Sequence, residues 1–336
     1  MKKIITLLTF WILTFQLYAQ VSYINGDSLN INFGNTVTVL QNGNYVVTDP
    51  NWKNENNLEN VGAVYLYNGA THQLISRLTG SHTNDRIGSS GIKALPNGNF
   101  IVLSSRWKND FGGLTLVNGV TGLNAEINIS NSIIGQDDYN GGTHVTGVGN
   151  GQLTILPNGN LVYKGWGAPY PNDQIMGYII WIDANKASQG RIGDHLINGE
   201  IAYLDERIGD VRVLSNGNYM TISPGLNYFR GKITWWDSST GKALNAISGS
   251  ETFEIAYTQI IELSTQNFLL YNLTGGKGHI TWLDKSISYD RDWTTANGSN
   301  RLTITGDVYG VQELPNGNVV IRNAGWDNGK GAITVV

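Results

Sequence analysis

Cysteine is absent from all 336 residues, which excludes disulfide staples and a lipid-anchored N-terminal cysteine and leaves core burial to stabilise the fold. Charge is scarce too: Asp, Glu, Lys and Arg make up 14% of the chain, against about 25% in a typical soluble domain. The formal charge of −4 carries no basic footprint, so nucleic acid is excluded as a partner. The five histidines show no paired spacing, and no HExxH, GxSxG, phosphate loop or Cys/His cluster occurs. A metallohydrolase, a serine hydrolase with that elbow and a P-loop NTPase are therefore unsupported, and neither a metal nor a cofactor is expected. Long apolar runs are missing beyond the first 20 residues, so no membrane span of about 20 residues is predicted.

The start, MKKIITLLTFWILTFQLYAQ, has two lysines, an apolar run from Ile4 to Phe15 and the small residue Ala19 at a cleavage position. It reads as a secretory signal peptide over residues 1–19, so the mature chain is expected to be secreted or at the cell surface. Residues 20–336 contain no linker, charge block or low-complexity tail, which predicts one domain and a monomer.

What the chain has in quantity is repetition. LPNGN occurs at Leu95, Leu156 and Leu314, with variants LQNGN at Leu40, LSNGN at Leu214 and LSTQN at Leu263. A residue that presets or tolerates φ, then Asn, then Gly describes a type I turn closed by a G1 bulge, and a nearly continuous apolar strand such as FIVLS follows each one. A second landmark keeps step with the first: GAVYLYN at Gly62, GGLTLVN at Gly112, GYIIWID at Gly177, GKITWWD at Gly231, GHITWLD at Gly278 and GAITVV at Gly331. Each unit reads as four antiparallel strands, here a, b, c and d, with LPNGN between a and b. The units fall near residues 36–80, 91–135, 152–195, 210–250, 258–290 and 308–336, the last completed by 21–26. Four-stranded units at a period of about 50 residues predict an all-β fold, a six-bladed β-propeller closed by the N-terminal strand. Trp181, Trp235 and Trp282 share the fifth place of strand c with Leu66, Leu116 and Val335, which marks a core site between blades.

The order DRIGSSGIKALPNGNFIVLSSRW followed by GGLTLVNG resembles the FG-GAP repeats of integrin-type propellers. It is also similar to an NGN-type repeat of uncharacterised function in adhesin-like bacterial surface proteins. That resemblance spans residues 21–336 and implies a propeller used for binding. Integrin-type repeats often carry an acidic calcium loop in the a-to-b turn; LPNGN has no carboxylate there, so calcium is not expected.

Alternating strand direction puts the a-to-b and c-to-d turns on one face and the longer b-to-c and d-to-a loops on the other. The b-to-c loops supply the candidate ligand-binding residues: Trp52, Lys53, Trp107, Lys108, Trp166, Tyr170, Tyr228, Arg230, Trp326 and Asp327. Indoles at a channel mouth suit a glycan or a protein segment; the same recurrence also suits caps on the packing between blades. Asp85, Asp205 and Asp307 precede strand a, where they are either inward carboxylates of a carbohydrate-active enzyme or acceptors for their own loop amides. Three functional readings follow: a binding or adhesion propeller, a carbohydrate-active enzyme, and a structural repeat segment of a longer surface protein.

Overall fold

The computed structural model describes residues 22–26, 28–29, 31–138, 143–145, 147–167, 176–186, 190–191, 210–224, 230–249, 258–272, 277–283, 291–292, 301–305 and 310–336. Among them the chain is all-β, built of short antiparallel sheets that follow one another along the sequence. In the first sheet β1 (Thr36–Val39), β2 (Tyr45–Asp49), β3 (Ala63–Tyr67) and β4 (Leu74–Thr79) pair in that order. The second begins with β5 (Ile92–Ala94), β6 (Phe100–Ser104) and β7 (Gly113–Val117). The strand expected next is split: β8 (Ala125–Glu126) joins the first sheet, parallel to β4, while β9 (Ile133–Ile134) pairs with β7.

A small hairpin, β10 (Gln136–Asp138) and β11 (Thr143–Val145), leads to a third sheet of β12 (Gln152–Ile155), β13 (Leu161–Gly167) and β14 (Met176–Ile182). After it, β15 (Gly190–Arg191) runs parallel to β9 of the second sheet. The fourth sheet is β16 (Asp210–Val213), β17 (Tyr219–Ser223), β18 (Lys232–Trp236) and β19 (Ala243–Ser248). The fifth has β20 (Thr258–Glu262), β21 (Phe268–Asn272) and β22 (Lys277–Leu283). Its segment β23 (Arg291–Asp292) lies parallel to β19 of the fourth sheet, and β24 (Arg301–Thr305) completes the fifth. The sixth sheet is β25 (Gly310–Glu313), β26 (Val319–Asn323) and β27 (Ala332–Val335).

Simple four-stranded units therefore need a correction. Three sheets carry a further parallel strand lent by the unit that follows, which covers their outer edge and stitches neighbours together.

The repeated turn forms as its residues predict. Leu95 N donates to Asn99 O at 2.9 Å, Gly98 N donates to Leu95 O at 3.0 Å, and Gly98 has a φ of 84°. The degraded fifth copy keeps both bonds with Gln266 at a φ of 66°, so it accepts left-handed strain at a non-glycine residue instead of turning differently.

The sheets stack in one sense. The face carrying the second residue after each turn packs on the next sheet's first and third: Val46 with Phe100 and Val102, and Ile101 with Leu161 and Tyr163. The pattern continues with Val162 on Tyr219, Met220 on Phe268 and Leu270, and Leu269 on Val319 and Ile321. Period-2 alternation assigns each apolar strand residue to one of two neighbours, which is why these strands read as continuously hydrophobic. The fifth place of strand c lies on the outgoing face, opposite the second strand-b residue, as in Met220 with Trp235 and Leu269 with Trp282.

The N-terminal closure does not form among the described residues. Residues 22–26 contain no strand and the sixth sheet ends at β27. Instead Ile24, Leu29 and Phe33 pack on the incoming face of the first sheet against Val47, Tyr65 and Tyr67, with Phe33 edge-on to Tyr65 at 5.4 Å. Burial on that aromatic face takes the place of edge pairing. The outgoing face of the sixth sheet leaves Ile333 and Val335 exposed.

Candidate functional site

The two faces of the stack are built differently, beginning with the turns. The fifth-letter Asn accepts from its own c-to-d turn: Asn44 Oδ1 from Gly69 N at 3.1 Å, Asn99 Oδ1 from Gly119 N at 3.2 Å, and Asn160 Oδ1 from Ala184 N at 3.2 Å. The third- and fifth-letter amides then donate to one carbonyl of the next sheet. Asn42 and Asn44 both reach Gly119 O at 2.8 Å, and Asn158 and Asn160 reach Ser238 O at 2.8 and 3.1 Å. Where Ser replaces Pro as second letter it restores an N–H, and the following sheet supplies a carboxylate for it: Glu262 for Ser215, and Glu313 for Ser264. The turn face is thus consumed by scaffold contacts.

Two clefts lie among the described loops of the opposite face. Between the first and second sheets lies a cleft of about 610 Å³, lined by Trp107, Lys108 and Phe111 from one loop and by Ser81, His82 and Glu126 among others. Two loops meet there. Asp85 is 1% exposed, and its carboxylate accepts from Ser81 N, His82 N and Lys108 N, each at 2.8 Å, which binds the d-to-a loop of one unit to the b-to-c loop of the next. The wall this creates is strained: Lys108, Asn109 and Asp110 have successive φ values of 49°, 58° and 67°. Left-handed geometry costs roughly 1–2 kcal/mol per non-glycine residue. It persists because its surroundings over-determine it, through Asp85, through Gly112 N to Trp107 O at 3.0 Å and through Gly147 N to Asp110 O at 2.6 Å.

Trp107 is 4% exposed and belongs to the core between the two sheets, yet its edge lines the cleft. Its indole N–H is buried with no hydrogen-bond partner, and Lys108 Nζ lies 5.9 Å from its ring centroid. The equivalent loops repeat one contact, Gly62 N to Trp52 O and Gly331 N to Trp326 O, so these tryptophans occupy a scaffold position. Their surroundings differ. Trp52 is 3% exposed and sealed, with the Arg77 guanidinium 4.7 Å above its ring, whereas Trp326 is 45% exposed. Lys53 is half-buried and its N–H donates to Leu29 O. Asp327 pairs with Lys330 at 2.7 Å, and Arg230 is exposed.

Of the expected ligand residues, only Trp107 and Lys108 share a cleft among the described residues. Trp166 has its backbone in β13, but its side chain, together with Tyr170 and Tyr228, lies outside the described residues. Asp205 and Asp307 lie outside them too, and Asp85 has its carboxylate taken up by loop amides, as Asp residues in turns commonly are. His82, Ser81 and Phe111 were not singled out from the sequence; their signal is position, flanking DRIG and RWKND. Among the described residues no group of three His, Asp or Glu is placed to hold a metal, and no helix is long and apolar enough to cross a membrane.

A second cleft of about 400 Å³ is lined by other residues of the same two loops, Arg86, Ser89, Ser90, Ser105 and Arg106, and by the 149–151 segment. Behind it the hydroxyl of Tyr163 accepts from Gly149 N at 2.7 Å and Gly151 N at 2.8 Å, and burial raises its pKa above the ordinary tyrosine value.

Comparison with known proteins adds a family-level match. A family described as "Repeat of unknown function (DUF5650)" matches residues 39–89, 94–143 and 313–336, each segment beginning next to an a-to-b turn. No curated protein matches. The fold is similar to a structure described as the Dos1 propeller, at 11% identity and a TM-score of 0.35 over 90% of this chain and 66% of that one. A prolyl endopeptidase aligns at 11% identity and a TM-score of 0.32, covering 89% of this chain and 41% of that one. A putative gluconolactonase aligns at 11% and 0.27, covering 87% and 84%. The chain is an all-β repeat protein that shares the DUF5650 repeat over those three segments.

Proposed function

We propose that the chain is an exported, non-catalytic binding module, a propeller whose loop face holds a glycan at the Trp107 cleft. The observation that supports this reading is the make-up of that cleft. Trp107 and Phe111 line it together with Ser81, His82, Lys108 and Glu126, on a wall held in strained left-handed geometry. A sugar ring offers both an apolar face for an indole and hydroxyls for such polar groups, and flat aromatic anchors carry much of the energy in binding sites. Export is supported by the lysine-led apolar start.

The blade arrangement is supported by the single-sense stacking. Closing the ring would bury Ile333 and Val335 at one end of the stack and Val37 and Val39 at the other, all now exposed. Small-angle scattering on the mature chain checks this: a compact disc of this length has a radius of gyration of about 20 Å. A value well above ~25 Å would contradict a closed arrangement.

The binding claim is checked on a glycan array with three variants confirmed to be folded. Trp107→Leu and Lys108→Ala are expected to weaken the strongest signal by roughly 10-fold or more, the range of interfacial anchor residues. Trp326→Ala, on a different loop, is expected to leave it unchanged. Equal binding by all three would remove the site.

A further inference from the structure

The second cleft carries a chemistry that the first lacks. Ser89, Ser90 and Ser105 line it with Arg86 and Arg106, and no Asp or Glu is among its lining residues. Ser90 and Ser105 are joined through their hydroxyls at 2.6 Å, and Ser105 N donates to Ser90 Oγ at 3.2 Å. That fixes one hydroxyl pair against the wall. Arg86 forms no ion pair among the described residues, although this chain is acidic overall and offers carboxylates in excess. Its backbone is left-handed, with a φ of 47°, and is pinned by a bond from Arg86 N to Asn60 O at 2.9 Å. A long, β-unbranched cation is thus held in an unfavourable conformation at a cleft wall without a partner of its own.

Arg106 does have a partner. Its Nη1 lies 3.2 and 3.4 Å from the two oxygens of Asp110, with both side chains more than half exposed. Surface pairs of this kind contribute about 0–1 kcal/mol, so an incoming anion displaces Asp110 at little expense. The amides of Gly149 and Gly151 are already given to Tyr163, which leaves the guanidinium forks, the serine hydroxyls and the Asn150 side-chain amide as donors. Guanidinium forks match the planar, bidentate geometry of carboxylate and sulfate oxygens.

We propose that this cleft holds the acid group of an anionic glycan, a carboxylate or a sulfate, whose neighbouring ring packs at the Trp107 cleft. The inference rests on the glycan reading of that first cleft. The two readings are linked because Arg106, which lines one cleft, and Trp107, which lines the other, are consecutive residues of one loop. One loop therefore contributes to both clefts.

The test uses the mature chain and three oligosaccharides of one backbone: neutral, uronate-bearing and sulfated, titrated by calorimetry at low salt. At least one acidic form is expected to bind ~10-fold more tightly than the neutral form, the scale of one charge-assisted contact. The double variant Arg86→Gln/Arg106→Gln is expected to abolish that preference while keeping neutral binding, and the uronate and sulfate arms decide which acid is held. Equal affinity for all three sugars, or a preference that survives the double variant, overturns the proposal. Should no sugar bind, the glycan reading fails by itself, and inorganic sulfate then probes the cleft alone. Saturable shifts of the Arg86 and Arg106 Nε–H resonances would support an anion site, and their absence would overturn it.

Discussion

Replacing Asp85 with alanine lowers the unfolding free energy by about 3–5 kcal/mol, the range for breaking a buried, charged hydrogen-bond network. Three amide donors, those of Ser81, His82 and Lys108, lose their acceptor in a site where the carboxylate is 1% exposed. Two of those donors belong to one unit and the third to the next, so the damage is not confined to one loop. The left-handed turn at Lys108 loses one of the contacts that hold it, and the cleft wall relaxes with it. Asp85→Asn is expected to fall between wild type and alanine, because the amide keeps one acceptor and turns an NH2 toward a backbone donor. Urea unfolding measures both variants. A change below 1 kcal/mol for alanine would mean that these bonds do not tie the units together. If the proposed glycan site exists, its binding is expected to weaken in parallel, by an amount that tracks disorder at Lys108 and not any loss of negative charge.

Gly112→Ala gives the second large effect, about 4 kcal/mol or more, from a backbone clash added to left-handed strain. Gly112 has a φ of 78°, and a Cβ there would meet Val148 O at 2.1 Å and Val148 N at 2.6 Å. Neither atom is the end of a flexible side chain. Val148 is held against this position by its own bond to Phe111 O and by a parallel bridge to Gly112, so relief requires moving the loop that enters the third sheet. Gly43→Ala separates the two contributions. Its φ is 86°, yet nothing lies within 4 Å of the added Cβ, so only the conformational cost of about 1–2 kcal/mol applies. Thermal or urea unfolding of the pair is the check, and equal losses would show that backbone conformation, not close approach, sets the requirement for glycine in strand c.

Much of the architecture was legible because each repeat obeys a short-range rule. Pro, Asn and Gly in LPNGN specify the bulged turn locally, and continuous apolar strands report burial on both faces. The exchange of Trp with Leu or Val at the fifth place of strand c correctly marked packing between sheets, now seen for Trp235 against Phe268 at 5.3 Å. What stayed hidden depends on distance along the chain. Asn42 to Gly119 spans 77 residues and Asn97 to Ala184 spans 87, and no local pattern announces that a turn asparagine also binds its neighbour. The lent parallel strands are silent in the sequence for a related reason: two-residue segments such as Ala125–Glu126 have no periodicity to read.

The site was legible only in outline. Trp52, Trp107 and Trp326, which recur in the sequence, share one backbone contact, each carbonyl receiving the N–H of the glycine that opens strand c. Recurrence was silent on which of them a cleft would reach. That depends on what packs beside each loop: Arg77 and Leu29 close over Trp52, whereas Ser81, His82 and Asp85 hold a cleft open next to Trp107.

The most direct test of the proposed glycan site is an NMR titration of the indole N–H resonances with the best oligosaccharide from the array. Few such signals exist, and the Trp107 indole N–H is buried without a partner beside the cleft, so its resonance reports on a ligand at that wall. Saturable movement of the Trp107 signal, with Trp235 and Trp236 in the distant sheet core unmoved, is the predicted result. Saturable binding that leaves Trp107 unmoved would contradict it.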